Sequence, residues 1–290
     1  MFGIILIRKD VGRTSHDVVD AIRRKFGTRR VGHAGTLDPL ATGLLVVAVG
    51  PATRFLQFLP LEPKEYVAEI AFGRATSTYD LEGETIFEAP VPADLEGELQ
   101  KSLFKFTGLI SQLPPMYSAV KIDGKPLYHY ARQGKEIDRE PRNVHIDKFE
   151  IQHISPMKIE ARIVCSGGTY IRSLAHDLGE SVGCGAHLAK LHRTRVGKFH
   201  VDQAKSLEVA DPTNLVPLKE ALQPMPMVSL NETQVHHIRE GRQVGLESVP
   251  AATTVALIDT MGEVFSVARV QGHLLQPECV IPLEAFQTHA

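Results

Sequence analysis

The chain has 290 residues, 43% of them hydrophobic and 23% charged, with a net charge of −2. That usage excludes a disordered chain, no apolar run nears the roughly 20 residues a membrane-spanning helix needs, and the net charge excludes a polycation that would coat a partner by bulk charge alone. The length predicts two domains.

Phe2 to Ile7 is an apolar, β-branched run and reads as a strand. It is too short for a signal-peptide core and its positive charges follow it, so a cytoplasmic protein is expected. Gly12 to Ser15 turns the chain, and Ser15 is expected to cap a helix carrying Val18, Val19, Ile22 and Phe26 at helical spacing, with Arg23, Arg24 and Lys25 at its end and Gly27 beyond it. Val31 to Val49 (VGHAGTLDPLATGLLVVAV) follows, a loop of glycine, threonine and histidine that runs into an apolar stretch from Leu44, expected to be a buried strand. Asp38 is its one carboxylate. Set between Leu37 and Pro39, it reads either as a shielded reactive group or as a helix N-cap with Pro39 at the first helical position.

Pro51 to Leu59 reads as a short helix and Lys64 to Gly73 as a half-buried strand, with Tyr66, Ala68, Ile70 and Phe72 on its inner face. Thr76 to Gly83 is turn-rich and carries Asp80, which suits a turn-capping carboxylate. Asp94 to Phe106 is an expected amphipathic helix. Gln112 to Gly134 is dense in proline, tyrosine and base, a combination of stacking faces and charge that suits RNA. Arg142 to Ile163 reads as two strands about Ser155-Pro156. Gly167-Gly168-Thr169 then opens a helix that buries Ile171, Leu174, Ala175 and Leu178, with Tyr170 and Arg172 flanking that stripe and reaching beyond the core. Ala186 to Leu191 is a further strand leading into a basic run, Lys190 to His200. Gln223 to Met227 (QPMPM) reads as a linker, followed by a capped helix, Asn231 to Glu240, and short strands near 255–258, 264–270 and 279–281.

Cys165, Cys184 and Cys279 are odd in number and far apart, which suits a reducing compartment. Cys184, His187 and His192 lack the paired spacing of a zinc site, so no metal is expected. No Gly-rich phosphate loop, HExxH or GxSxG is present. The two basic runs, Arg8 to Arg30 and Lys190 to His200, against the acidic stretch Glu82 to Glu98, suggest a face for a phosphate backbone.

Taken together, the blocks Gly12–Val19 (GRTSHDVV), Gly32–Pro39 (GHAGTLDP) with Thr42-Gly43, Lys64-Glu65-Tyr66, Thr76-x-Thr78-x-Asp80, Pro114–Ala119 (PPMYSA) with Lys121, Gly168–Gly179 (GTYIRSLAHDLG) and Leu191–Thr194 (LHRT) resemble the TruB family of tRNA pseudouridine synthases. The match covers about the first 200 residues. It departs from the family's usual pattern at Asp10, where proline is common after the lysine, and at His192, where arginine is common.

The resemblance implies an α+β fold, a mixed and largely antiparallel central sheet of the pseudouridine synthase kind flanked by helices. Residues 1–223 would form the catalytic domain, with 117–142 as an RNA-contacting insertion, and 224–290 a small, mostly β, PUA-like RNA-binding domain. It implies a cofactor-free, metal-free isomerase, expected to act as a monomer, that converts uridine-55 in the T loop of tRNA to pseudouridine after flipping the nucleotide out. It places the nucleophile on Asp38, whether toward the base, the sugar or by way of a glycal. Arg172 would be its counter-ion and Tyr66 the ring that stacks on the base. His33 would fill the vacated stack, Asp80 hold the flipped loop, Tyr170 and Leu191 wall the pocket, and Lys64 and Arg193 contact the substrate. A non-catalytic RNA-binding protein and a two-carboxylate glycosidic hydrolase using Asp38 and Asp80 are the alternatives.

Overall fold

A computed structural model describes residues 1–122, 124–248 and 250–287. Asp123 of the expected insertion and Val249 and 288–290 of the expected C-terminal domain lie outside the described residues. The backbone forms two compact units. One comprises Met1–Pro39, Gly43–Leu61 and the chain from Lys198 onward, the other Leu40–Thr42 and Glu62–Gly197.

The first unit opens with strand β1 (Gly3–Lys9), helix α1 (Ser15–Lys25), β2 (Val31–Ala34) and β3 (Thr42–Val49). Both β1 and β2 run antiparallel to β3, from Gly3 opposite Val49 to Lys9 opposite Gly43, and from Val31 opposite Val49 to Ala34 opposite Val46. β3 reads as an unbroken apolar run because it is buried on both faces. The α1 side chains Val18, Val19 and Ile22 pack on Ile5, Ile7, Leu45 and Val47. Each such burial contributes about 1.5–3 kcal/mol.

The expected Ser15 cap is corrected. Thr14 is the N-cap, its hydroxyl accepting from Asp17 N–H while the Asp17 carboxylate accepts from Thr14 N–H, a reciprocal capping box. Ser15 is released for another task. The helix expected over Pro51 to Leu59 is a 3-10 helix, Gly50–Phe58.

The second unit holds β4 (Lys64–Phe72), β5 (Arg74–Thr76), β6 (Thr85–Glu88), α2 (Leu95–Ser102), β7 (Gly108–Gln112), β8 (Lys121–Ile122), β9 (Lys125–Pro126), α3 (Leu127–Ala131), β10 (Arg142–Ser155), β11 (Lys158–Cys165), α4 (Ile171–Val182) and β12 (Ala186–Val196). Its sheet has the order β12-β4-β11-β10-β7, with every neighbour antiparallel. The alternation expected on β4 is present: Tyr66, Ala68, Ile70 and Phe72 are buried and the residues between them are not. α4 packs on β12 and β4, and its stripe buries Ile171, Leu174, Ala175 and Leu178 as expected. Arg172 is buried in the same turn, a correction to its expected place outside the core.

The first unit resumes with β13 (Phe199–His200), α5 (Leu218–Ala221), β14 (Met227–Ser229), α6 (Glu232–Arg239), β15 (Val244–Gly245), β16 (Thr254–Ile258), β17 (Val264–Gln271), β18 (Leu274–Val280) and α7 (Glu284–Gln287). A five-stranded sheet, β14-β16-β17-β18-β15, encloses its own core of Leu230, Ile238, Val255, Leu257, Phe265 and Leu275. The α+β class read from the sequence is the class found, largely antiparallel in both units: β14 runs parallel to β16, from Met227 opposite Ala256 to Ser229 opposite Ile258, and Ile7 with Lys205 and Asp80 with Leu188 form single-residue parallel bridges. No helix among the described residues is long and apolar enough to cross a membrane.

Candidate active site

Asp38 sits in the connection from β2 to β3, and no helix follows it: a turn at Pro39-Leu40 leads straight into β3. The helix N-cap reading is thereby corrected. The apolar run from Leu44 claims the chain for the sheet before a helical turn can form. What fixes the loop is its backbone. The Ser15 hydroxyl accepts from Leu37 N–H at 2.8 Å and lies 3.0 Å from Leu37 O, so one side chain holds both polar groups of the residue before Asp38. On the other side the Pro39 carbonyl accepts from Gly12 N–H at 2.8 Å and from the Lys9 ammonium at 3.4 Å. Lys9 is fully buried and also donates to Asp10 O at 3.0 Å and Arg13 O at 2.6 Å.

Asp38 itself is half-buried, clamped by its neighbours' main chain on both sides. The chain passes into the second unit just after Pro39, where the Thr42 hydroxyl pairs with His192 Nδ1 at 2.8 Å and donates to Leu191 O at 3.3 Å. His33, on β2, lies edge-on to the His16 ring with centroids 6.5 Å apart.

In the second unit, two groups of the expected residues are brought together. Lys64 and Tyr66 lie on one face of β4, and across on β12 Arg193 stands opposite Tyr66 and Leu191 opposite Ala68. Arg193 is 1% exposed. Burial first, and the neighbouring Arg193 charge second, hold the Lys64 ammonium below the usual lysine range.

The second group gathers at the start of α4. Arg172 Nη1 reaches Asp80 Oδ2 at 3.3 Å and Thr78 O at 3.0 Å, and its Nη2 donates to Tyr117 O at 2.7 Å. Both side chains of the ion pair are about nineteen-twentieths buried. Asp80 does cap its turn, accepting from the Thr78 hydroxyl and Glu82 N–H with its other oxygen. Its remaining oxygen is what Arg172 takes. Tyr170, the N-cap of α4, is two residues from Arg172.

The other sequence decoys resolve as structure. His187 faces Arg74 through both ring nitrogens, with Nδ1 2.9 Å from Arg74 O, and Cys184 is buried. Residues the sequence reading passed over are Lys9, Ser15, Thr78 and Gln112. Lys9 had a signal: alternation along β1 puts it on the inward face with Ile5 and Ile7. Ser15 and Thr78 stand in the family blocks without the roles seen here, and Gln112 bonds to Tyr170, 58 residues away, with no local signal. His176, Asp177 and Glu180 also cluster on α4, with potential ligand atoms all within 4.8 Å of one another.

Residues 23–171 match the family model described as TruB family pseudouridylate synthase, N-terminal domain, and residues 172–228 that of the tRNA pseudouridylate synthase B C-terminal domain. The tRNA pseudouridine synthase B of Ralstonia nicotianae is 39% identical, the alignment spanning 97% of this chain and 94% of that protein. That of Thermobifida fusca is 41% identical over 96% of this chain and 98% of its own length. Among solved structures, a chain of a Cbf5-Nop10-Gar1 complex matches with a TM-score of 0.72 and 27% identity, covering 96% of this chain and 84% of that one.

Proposed function

The chain belongs to the TruB family of pseudouridylate synthases and is an isomerase, and on that premise we propose that its substrate is the T arm of tRNA, where it converts uridine-55 to pseudouridine. The reaction breaks the N1–C1′ bond of the uridine, turns the base, and joins C1′ to C5. A proton leaves C5 and one ends on N1, so atoms and electrons balance with no oxidant or co-reactant.

The observation that carries this reading is the Asp38 loop. A carboxylate whose flanking residues are held by Ser15, Gly12 and Lys9 is presented, not consumed as a helix cap. Asp38 is the proposed nucleophile. A uridine within a folded T loop is out of its reach, so the nucleotide is flipped. His33 takes the vacated place in the stack and Tyr66 stacks on the base. Tyr170 and Leu191 wall the pocket.

Arg172 is the proposed counter-ion of that carboxylate, and Asp80, which binds its guanidinium, holds it and is the residue proposed to hold the flipped loop. Lys64 and Arg193 flank Tyr66 on its sheet face and add positive charge to the substrate pocket. Residues 1–223 act as the catalytic domain. Within it, 117–142 is an RNA-contacting insertion. Residues 224–290, whose sheet has its own apolar core, form a PUA-like RNA-binding domain.

The test is direct. Purified chain incubated with a T-arm stem-loop RNA forms pseudouridine at the position of uridine-55 and nowhere else, detected by pseudouridine-specific chemical labelling, and a stem-loop with cytidine at that position gives none. Release of free uracil would instead mark a glycosidic hydrolase, and binding without product a non-catalytic RNA-binding protein.

A further inference from the structure

α4 starts at a residue whose own side chain cannot cap it: Tyr170 makes no side-chain bond to the helix's first turn. Its main chain is capped from β7. Gln112, the last residue of that strand and 2% exposed, accepts from Tyr170 N–H through Oε1 at 2.7 Å and donates from Nε2 to Tyr170 O at 3.0 Å. A single planar carboxamide thus satisfies both polar groups of one residue. It sets the peptide planes on either side of Tyr170, and with them the direction of its Cα–Cβ bond.

The neighbouring positions are tied to the same stretch. Ser173 donates its hydroxyl to Leu113 O at 3.0 Å and Arg172 donates to Tyr117 O at 2.7 Å. The N-cap, second and third residues of α4 are therefore each fastened to the segment 112–117, while Ile171 between them turns into the core.

We propose that Gln112 is a positioning residue for the isomerisation, holding the start of α4 so that Tyr170 walls the flipped nucleotide and Arg172 serves as counter-ion in the reactive geometry. This rests on the roles proposed above for those two residues. Gln112 touches neither substrate nor reacting atoms. Its removal is expected to cost rate and to spare affinity, because RNA is bound over a wide surface, whereas misplacement by about 1 Å near the reacting groups costs on the order of a hundredfold in rate.

The chemistry of the clamp supplies a readout that packing alone would not move. In Gln112→Glu, a protonated carboxylic acid has a carbonyl acceptor and an O–H donor where the amide had C=O and N–H, and so rebuilds both bonds. The ionised carboxylate has acceptors only and faces the partial negative charge of the Tyr170 carbonyl oxygen with no proton to offer.

The experiment measures single-turnover pseudouridine formation on a T-arm stem-loop, RNA affinity and thermal melting, for the unsubstituted chain, Gln112→Ala and Gln112→Glu, at about pH 8 and about pH 5.5. Near pH 8 both variants are expected to react about 10–100-fold more slowly with affinity within about threefold of the unsubstituted chain. On acidification the Gln112→Glu rate, taken relative to the unsubstituted chain at each pH, rises at least about fivefold and that of Gln112→Ala stays flat. Unchanged rates in both variants overturn the proposal, as does a rate loss that tracks the unfolded fraction. Should Gln112→Ala not fold, a flat relative rate for Gln112→Glu overturns it alone. An unsubstituted chain that leaves the RNA unmodified overturns the functional reading itself, which separates the two failures.

Discussion

Asp177 and Lys9 carry opposite lessons about burying a charged side chain. Lys9 is fully buried, yet its ammonium meets three main-chain carbonyls, those of Asp10, Arg13 and Pro39, and it pins the loop beside Asp38. Asp177 has no comparable donor among the described residues: burial first, and the nearby Glu180 charge second, push its carboxyl from 3.8 up to about 6. The folded chain therefore holds this proton more tightly than the unfolded chain does. The carboxylate costs stability above about pH 6, and the cost vanishes as the pH falls toward about 4. Asp177→Asn is accordingly expected to stabilise the protein by about 1–2 kcal/mol near pH 8 and by nothing near pH 4, read from denaturation midpoints at the two pH values. A variant equally stabilised at both would contradict the linkage.

Two adjacent hydroxyls at the start of α1 separate what an element needs to form from what it does once formed. Thr14 caps the helix; Ser15, one residue on, binds the Leu37 peptide beside Asp38. Thr14→Ala is expected to cost about 1 kcal/mol of stability with turnover unchanged. Ser15→Ala is expected to slow turnover of a T-arm RNA. Equal losses of turnover in both would place the loop's anchor elsewhere.

The same pair marks how far the sequence reading carries. Strands with clear alternation or apolar runs, β3, β4, β10 and β11, were legible because one side-chain period decides them. The helix starts slipped by a residue, since Thr14 and Ser15 are equivalent caps to a local pattern and Thr169 is a better cap by type than Tyr170. Asp38-Pro39 reads as a cap only while the pull of β3 is ignored. The basic run Lys190 to His200 looked continuous, but β12 alternates through it, so that Arg193 is buried while Lys190 and Arg195 pair with Glu69 and Glu65 on β4. A charge count along the chain cannot see that division.

At the scale of the whole molecule, the residues that would act on the nucleotide come from distant parts of the chain, and local pattern alone could not have chosen among them. Arg172 illustrates this. It bonds to Thr78, Asp80 and Tyr117, which are 55 to 94 residues away in sequence, so its burial is a property of the tertiary fold. The set of ordered blocks shared with the TruB family singles it out as a candidate nonetheless, because a family pattern spans such long separations. Family membership in turn makes the central claim a chemical one about a single carboxylate. The measurement that tests it most directly is turnover of a T-arm stem-loop by Asp38→Asn, an isosteric change that leaves the backbone clamps of Ser15, Gly12 and Lys9 in place. Product formation is expected to vanish while RNA affinity and the melting temperature stay near those of the unsubstituted chain; pseudouridine formed at an undiminished rate would contradict the account.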